Sequence, residues 1–449
     1  MKKYNEYKDS GIEWLGHVPK DWSLSRLKDV FNFKGGYAFA SKDYSSDGVQ
    51  LILIGNLYKN QLSLNRNPTY VDENFLATHS NFVVSKNDIL ISLTGTLGKK
   101  DYAFSILLDS SEKYLLNQRV GCLRIKNNNV IINWIIYLLQ SESFYEELLT
   151  LPKGTKQGNL SETHIFSMEV AFPPLKEQTE IANYLDAKTQ TIDKKVKLLS
   201  EKISTYKDYR KTLINQTVTK GLDKNVKLKN SGINWIGEIP KHWEVKRLKS
   251  LGNISTSSVN KKIEEDEKLV YLVNYTDVFG NLNKEIWNDL NYMKVSAKSN
   301  QIIQKNLKKG DVLFTPSSET VEDIGVSSVV MEDLKNTLYS YHILRLRFSQ
   351  KIYDNFKKYI FNNDFVQYYF SKSAKGTTRK ILGLNDFNNL QIVLPNSLKE
   401  QQAIANYLDD KTQTIDTIIK NIENQITTLK ELRKTLINEV VTGNVKITE

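Results

Sequence analysis

Two stretches of this chain carry seam residues at alternating spacings of four and three, with no proline or glycine to interrupt them. The first runs from 175 to about 219 and lines up Leu185, Thr189, Ile192, Val196, Leu199, Ile203, Tyr206, Arg210, Leu213 and Thr217. The second repeats the register with Leu408, Thr412, Ile415, Ile419, Ile422, Ile426, Leu429, Arg433, Leu436 and Val440. A strict four-three seam is the a/d line of a coiled coil, narrower than the stripe of a helix lying on its own domain. Two long helices are therefore predicted, and the simplest partner for either seam is the other. Elsewhere the period drops to two. NDILISLTGTLG (87–98) and RVGCLRI (119–125) alternate as strands do, as do their counterparts GDVLFTPSSETV (310–321) and HILRLRF (342–348). The fold class expected is α+β.

The pairing of these segments reflects an internal repeat. SGIEWLGHVPKDWSLSRLK (10–28) returns as SGINWIGEIPKHWEVKRLK (231–249), and LKEQTEIANYLDAKTQTID (175–193) returns as LKEQQAIANYLDDKTQTID (398–416). RKTLIN recurs at 210 and 433. One unit is written twice, which divides the chain into a domain over 1–174, a long helix over 175–222, a second domain over 223–395 and a second long helix over 396–449. The interiors diverge, which suits two domains of one fold facing different targets and suits drift after duplication as well.

Geometry constrains how the helices pair. A helix of about 45 residues is about 67 Å long, whereas a domain of about 173 residues has a diameter near 40 Å. Parallel pairing would require the chain to return the full helix length through a domain too small for the trip. Antiparallel pairing needs no return, and the expected architecture is two similar globular domains joined by two antiparallel helices, a pseudo-two-fold dumbbell. Centring the helices near Leu199 and Ile422 would place Arg210 by Asp409 or Asp410 and Arg433 by Asp186. Pro173-Pro174 mark the first helix start, while Asn396-Ser397 leave the second less sharply marked.

Composition adds little against this picture and removes several alternatives. The 449 residues carry 62 Lys and Arg against 51 Asp and Glu, a net charge of +11, which favours a polyanionic partner. That excess is uneven: residues 1–174 hold 19 basic and 18 acidic side chains, and residues 223–395 hold 26 and 19. A single cysteine, Cys122, excludes a disulfide framework and a cysteine zinc cluster. The N-terminus MKKYNEYKDSGIEW lacks a signal-peptide run and no stretch of 18 apolar residues occurs, so a cytoplasmic setting without membrane is expected. There is no GxxxxGK[ST] phosphate loop and no HExxH helix, and His17, His79, His164, His242 and His342 are scattered. Asn67-Pro68-Thr69-Tyr70 is a faint version of a methyltransferase strand end without its second proline, and Gly35-Gly36 reads as a turn. No catalytic residue, cofactor or metal is expected.

Two pairs of polar loops at matched places are the candidates for binding. Lys153, Thr155, Lys156 and Gln157, around Gly154, correspond to Lys375, Thr377, Thr378, Arg379 and Lys380, around Gly376. Glycine lets a backbone approach phosphate, threonine donates a neutral hydrogen bond, and lysine or arginine neutralises phosphate or reads guanine edges. The second pair, with Thr94 and Thr96 in Ser92–Gly98 and TPSSET at 315–320, follows directly after a strand. Both pairs are also compatible with ordinary surface turns. Tyr271, Tyr275, Tyr368 and Tyr369 suit sheet packing better than a DNA contact.

The duplicated SGI(E/N)W(L/I)G(H/E)(V/I)PK(D/H)W, the two LKEQ..IANYLD.KTQTID helices and the two RKTLIN endings together resemble the specificity subunits of type I restriction-modification enzymes. The likeness covers essentially the whole chain. It implies two target recognition domains, each reading half of a split site in double-stranded DNA, and a helical ruler between them. It also implies two modification subunits docked on the helices that bring S-adenosylmethionine and methylation, and restriction subunits that bring ATP-driven translocation and cleavage of phage DNA. The alternatives are a protein-binding scaffold and a self-sufficient methyltransferase.

Overall fold

The computed structural model describes residues 2–126, 128–152, 156–289 and 291–447. The contacts divide the chain into two units, one of residues 1–200 with 424–449 and one of 201–423. Each therefore contains one end of each long helix, α1 (Leu175–Lys220) and α2 (Leu398–Val441).

In the first unit a four-stranded sheet is built from β1 (Phe31–Gly35), β2 (Ile89–Ser92), β4 (Ser105–Leu107) and β5 (Val120–Ile125), in the order β4-β2-β5-β1. β3 (Thr94–Thr96) and β6 (Gln157–Asn159) form a separate two-stranded ladder. A second sheet orders Val83–Val84, Tyr114–Leu116, Val49–Ile52, Tyr70–Val71 and Tyr44–Ser45, with Tyr114–Leu116 parallel to Val49–Ile52. The second unit repeats this plan. β7 (Gly252–Thr256), β8 (Val312–Phe314), β10 (Ser327–Val330) and β11 (Leu344–Phe348) lie in the order β7-β11-β8-β10, extended by Glu285–Ile286, and β9 (Ser317–Ser318) pairs with β12 (Lys380–Ile381). Ile89, Leu90 and Ile91 of β2, and Val312, Leu313 and Phe314 of β8, are fully buried, as expected for strands covered on both faces.

The repeated sequence frame is explained by repeated contacts. Asp88 Oδ1 and Arg124 Nε lie 2.6 Å apart and tie the start of β2 to β5. Asp311 and Arg347 make the same pair at 2.6 Å between β8 and β11. The indole N–H of Trp22 donates to Glu177 at 3.2 Å, and that of Trp243 to Glu400 at 3.0 Å. Gln178 accepts from Ile131 N–H at 2.8 Å and donates to the Pro173 carbonyl at 2.9 Å. Gln401 does the same with Tyr353 N–H and the Pro395 carbonyl, both at 2.9 Å. The Glu-Gln at each helix start is thus a clamp that fixes the helix to its domain. It marks the second start as sharply as the first, although Asn396-Ser397 stand in place of Pro173-Pro174 and Pro395 lies one residue further back.

Within each unit the two helices are antiparallel. In the first, the segment after α2 approaches the start of α1, with Tyr4 donating to Glu177 and Tyr7 to the Asn444 carbonyl, while deeper along the pair Arg433 Nε sits 3.1 Å from Asp193. In the second, Gly221 lies against Glu400 and Arg210 Nε sits 3.1 Å from Asp416. Leu185, Ile192, Leu408, Ile415, Ile419 and Ile422 are buried; Val196, Leu199, Ile203 and Ile426 are half-buried between exposed neighbours.

The ion-pair partners differ from the sequence expectation by one heptad. Asp186 accepts from the Tyr137 hydroxyl at 2.7 Å, and Asp409 from Tyr359 at 2.6 Å and from Lys358 at 2.9 Å. These carboxylates are engaged by their own domains, so the seam arginines reach the next aspartate along. Gly35-Gly36 is likewise not a turn: Gly35 ends β1, and Gly36 lies where a Cβ would strike the Asn117 carbonyl.

Candidate nucleic-acid interface

In the first unit the chain leaves β2 through Leu93 and enters β3, which pairs antiparallel with β6. Thr94 lies opposite Asn159, Gly95 opposite Gly158 and Thr96 opposite Gln157. Leu97 N–H donates to the Lys156 carbonyl at 3.1 Å and continues the ladder. Two loops that are separate in sequence therefore form one arm, with Thr96, Lys156 and Gln157 exposed and Thr94 half-buried. Lys153 and Thr155 lie outside the described residues. The glycines opposite each other are required by packing: a Cβ on either would overlap the Tyr102 side chain beneath. Tyr102 is buried, and burial together with the charge of Asp101 raises its phenol pKa. Asp101 also anchors the arm by accepting from Thr96 N–H at 2.8 Å.

The second unit builds the same arm from different residues. Ser317 lies opposite Ile381 and Ser318 opposite Lys380. Lys375 and Ile381 exchange backbone hydrogen bonds at 3.0 and 2.8 Å, closing a turn over residues 376–380. Gly376 takes φ +106° there, a conformation that favours glycine. Lys375, Thr377, Thr378 and Arg379 are exposed, Arg379 Nε donates to Ser317 Oγ at 3.2 Å, and Lys380 Nζ donates back to the Gly376 carbonyl at 2.7 Å. Equivalent bonds seat both arms: Leu160 N–H donates to the Leu93 carbonyl at 2.7 Å, and Leu382 N–H to the Pro316 carbonyl at 2.8 Å.

Reading the sequence missed a third element, the turn that feeds β5 and β11. In the first unit Gln118 and Arg119 are exposed there, and the Arg119 carbonyl accepts from Leu93 N–H at 2.9 Å, beside the arm. In the second unit the turn is Tyr341-His342, with ring centroids 4.0 Å apart. The signal available was its place immediately before an alternating strand, polar in one half and aromatic in the other. Of the tyrosines, Tyr271 lies in the strand Lys268–Val273 and Tyr369 packs against the second core, as expected of packing residues, while Tyr275 is half-buried outside the core and Tyr368 is exposed. Tyr275 reaches Ser318 and the neighbourhood of Arg379.

No group of three or more potential metal ligands occurs among the described residues, and no described helix is long and apolar enough to cross a membrane. The arms offer hydroxyls, amides and cations on exposed, backbone-braced ladders, which are the groups that contact phosphates and base edges.

The model of the type I restriction modification DNA specificity domain matches residues 19–202 and again 240–428. The chain is 23% identical over 447 residues to the type I restriction enzyme EcoBI specificity subunit of Escherichia coli, covering 97% of this chain and 88% of that one. It is 24% identical over 473 residues to the MjaIX specificity subunit of Methanocaldococcus jannaschii, covering 99% and 97%. Its fold matches a chain solved in a study of complex assembly and conformational transition of the type I restriction-modification system. That match has a TM-score of 0.70 at 16% identity, covering 95% of this chain and 99% of that one. With both halves matched by one domain model, this chain belongs to the type I restriction-modification DNA specificity family and carries two DNA specificity domains.

Proposed function

We propose that the domain over 1–174 and the domain over 223–395 each read one half of a split DNA target through the arm and the adjoining turn, and that α1 and α2 set the number of unspecified base pairs between the halves. The same helices dock two modification subunits, which carry S-adenosylmethionine and methyl transfer, and restriction subunits join them for ATP-driven translocation and cleavage. The chain itself contributes recognition and no catalysis, acting on DNA in the cytoplasm. The observation that carries this reading is the recurrence of one backbone arm with different side chains: Thr94, Thr96, Lys156 and Gln157 in one half, and Ser317, Lys375, Arg379 and Lys380 in the other. Equal frames with unequal tips suit two readers of unequal sequences.

A mobility shift with the modification subunits present tests it. The complex should bind its own bipartite site at least a thousand-fold more tightly than unrelated DNA, with affinity that falls steeply as salt rises. A protein-binding scaffold would show neither property, and a self-sufficient methyltransferase would bind S-adenosylmethionine without partners. Insertions within 200–205 or 425–430 test the ruler: the methylated motif should keep both halves and change its spacer.

A further inference from the structure

We infer that His342 is a specificity-determining residue of the second half-site, presented beside the arm and contacting an acceptor on a base edge. The inference rests on the reading of the chain as a DNA specificity subunit, and it concerns a position outside both loops that the sequence singled out. Three observations lead to it.

The first is register. β8 and β11 pair with Phe314 opposite Leu344, so continuing the ladder puts His342 opposite Pro316, the residue that leads into the arm. The corresponding position in the first unit is Arg119, whose carbonyl is bonded to Leu93 N–H in just that place. Proline has no N–H to offer, so the His342 backbone lacks this bond while its side chain keeps the same station. One half of the chain thus carries a fixed cation there and the other an imidazole.

The second is charge. His342 feels the positive charges of Lys261, from the loop before Lys268–Val273, and of Arg379, from the turn of the second arm. Neither Lys261 nor Arg379 forms an ion pair among the described residues, although Asp277 acts on Lys261 and Asp323 and Glu319 act on Tyr275. Asp277 offsets Lys261 in part, but the charges that act on the half-buried imidazole itself are both positive, so the site favours an electron-rich partner. Burial, Lys261 and Arg379 in turn hold the His342 pKa below the usual histidine value.

The third is order. Tyr341 is 48% exposed and its ring lies 4.0 Å from the imidazole, which limits the orientations His342 can take. An aromatic that shields one face of an oriented donor suits recognition of a base edge better than a mobile lysine does.

The test uses the full chain assembled with modification subunits, comparing wild type with His342→Gln and His342→Asn, and with Lys261→Gln as a phosphate-type control. Sequencing of methylated DNA should show one position of the second half-site relaxed in both His342 variants, with the first half-site unchanged. Affinity for the wild-type site should fall about 10-fold. Because an acceptor draws a proton onto His342, wild-type affinity should decline as pH rises through the near-neutral range, and both variants should lose that dependence. An unchanged motif with weaker binding and a shallower salt dependence would make His342 a phosphate contact and overturn base reading. An unchanged motif with unchanged affinity would overturn any contact. If the wild-type complex leaves no bipartite motif at all, the DNA reading itself fails and takes this inference with it.

Discussion

Arg433 Nε lies 3.1 Å from Asp193 in one unit, and Arg210 Nε lies 3.1 Å from Asp416 in the other. Each arginine sits on the seam of its helix with about a third of its side chain exposed, and each finds its carboxylate on the facing helix. Both carboxylates are more than half exposed, at 58% and 56%, so water screens the attraction and the pairs serve register more than stability. Alanine at Asp193 or at Arg433 should cost under about 1 kcal/mol, and a double-mutant cycle in urea should return a coupling of the same small size. A coupling of several kcal/mol would contradict that view.

The clamp at each helix start should matter more. Gln178 is buried, bonded at once to Ile131 N–H and the Pro173 carbonyl. Gln178→Ala leaves two main-chain groups without their partner and should destabilise by about 1–3 kcal/mol in urea unfolding. Gln401→Ala should match it, because Tyr353 and Pro395 stand in the same relation to it.

These two contacts also show what the sequence disclosed and what it withheld. The seam and the alternating strands were legible because periodicity and duplication report on burial directly, although α2 ends at Val441 and does not fill the expected 396–449. The role of the repeated Glu-Gln was not, since it depends on Trp22 and Ile131 meeting the helix start in space. The seam arginines were assigned to Asp186 and Asp409/Asp410 because spacing alone cannot show that Tyr137 and Tyr359 already hold Asp186 and Asp409. At the candidate interface the two polar loops of each half were visible as composition. Their union into one arm required the β3–β6 and β9–β12 pairings, and Arg119 and His342, which open RVGCLRI and HILRLRF, read as strand residues though they lie in the turn before each strand.

The arm of the first unit can be damaged without touching an exposed side chain. Gly158→Ala would push a methyl into Tyr102, and the arm would have to lift from its seat. Bulk stability should fall by about 1–3 kcal/mol, and recognition should weaken for the first half-site alone. Sequencing of methylated DNA that showed both halves degraded equally would argue that the arm is a general structural support.

Alkaline pH offers an independent probe of the first core. Burial, with a smaller contribution from Asp88, raises the Cys122 thiol to about 12, and burial with Asp186 raises the Tyr137 phenol to about 12. Both groups ionise more readily in the unfolded chain, so their contribution to stability is complete below about pH 8.5 and is lost as pH climbs toward 12. Urea unfolding should weaken over that range by up to about 1.4 kcal/mol per pH unit for each group fully titrating in the unfolded state. Cys122→Ala should lessen the slope. The native thiol should also resist alkylation at pH 8 and react once the chain is unfolded.

The central claim is that the two halves read DNA independently. The most direct test replaces residues 25–170 with those of a relative and sequences the methylated DNA of cells carrying either version with the same modification subunits. The account predicts a bipartite methylated motif in both, with one half exchanged and the other half unaltered. A motif altered in both halves, or methylation that does not depend on this chain, would contradict it.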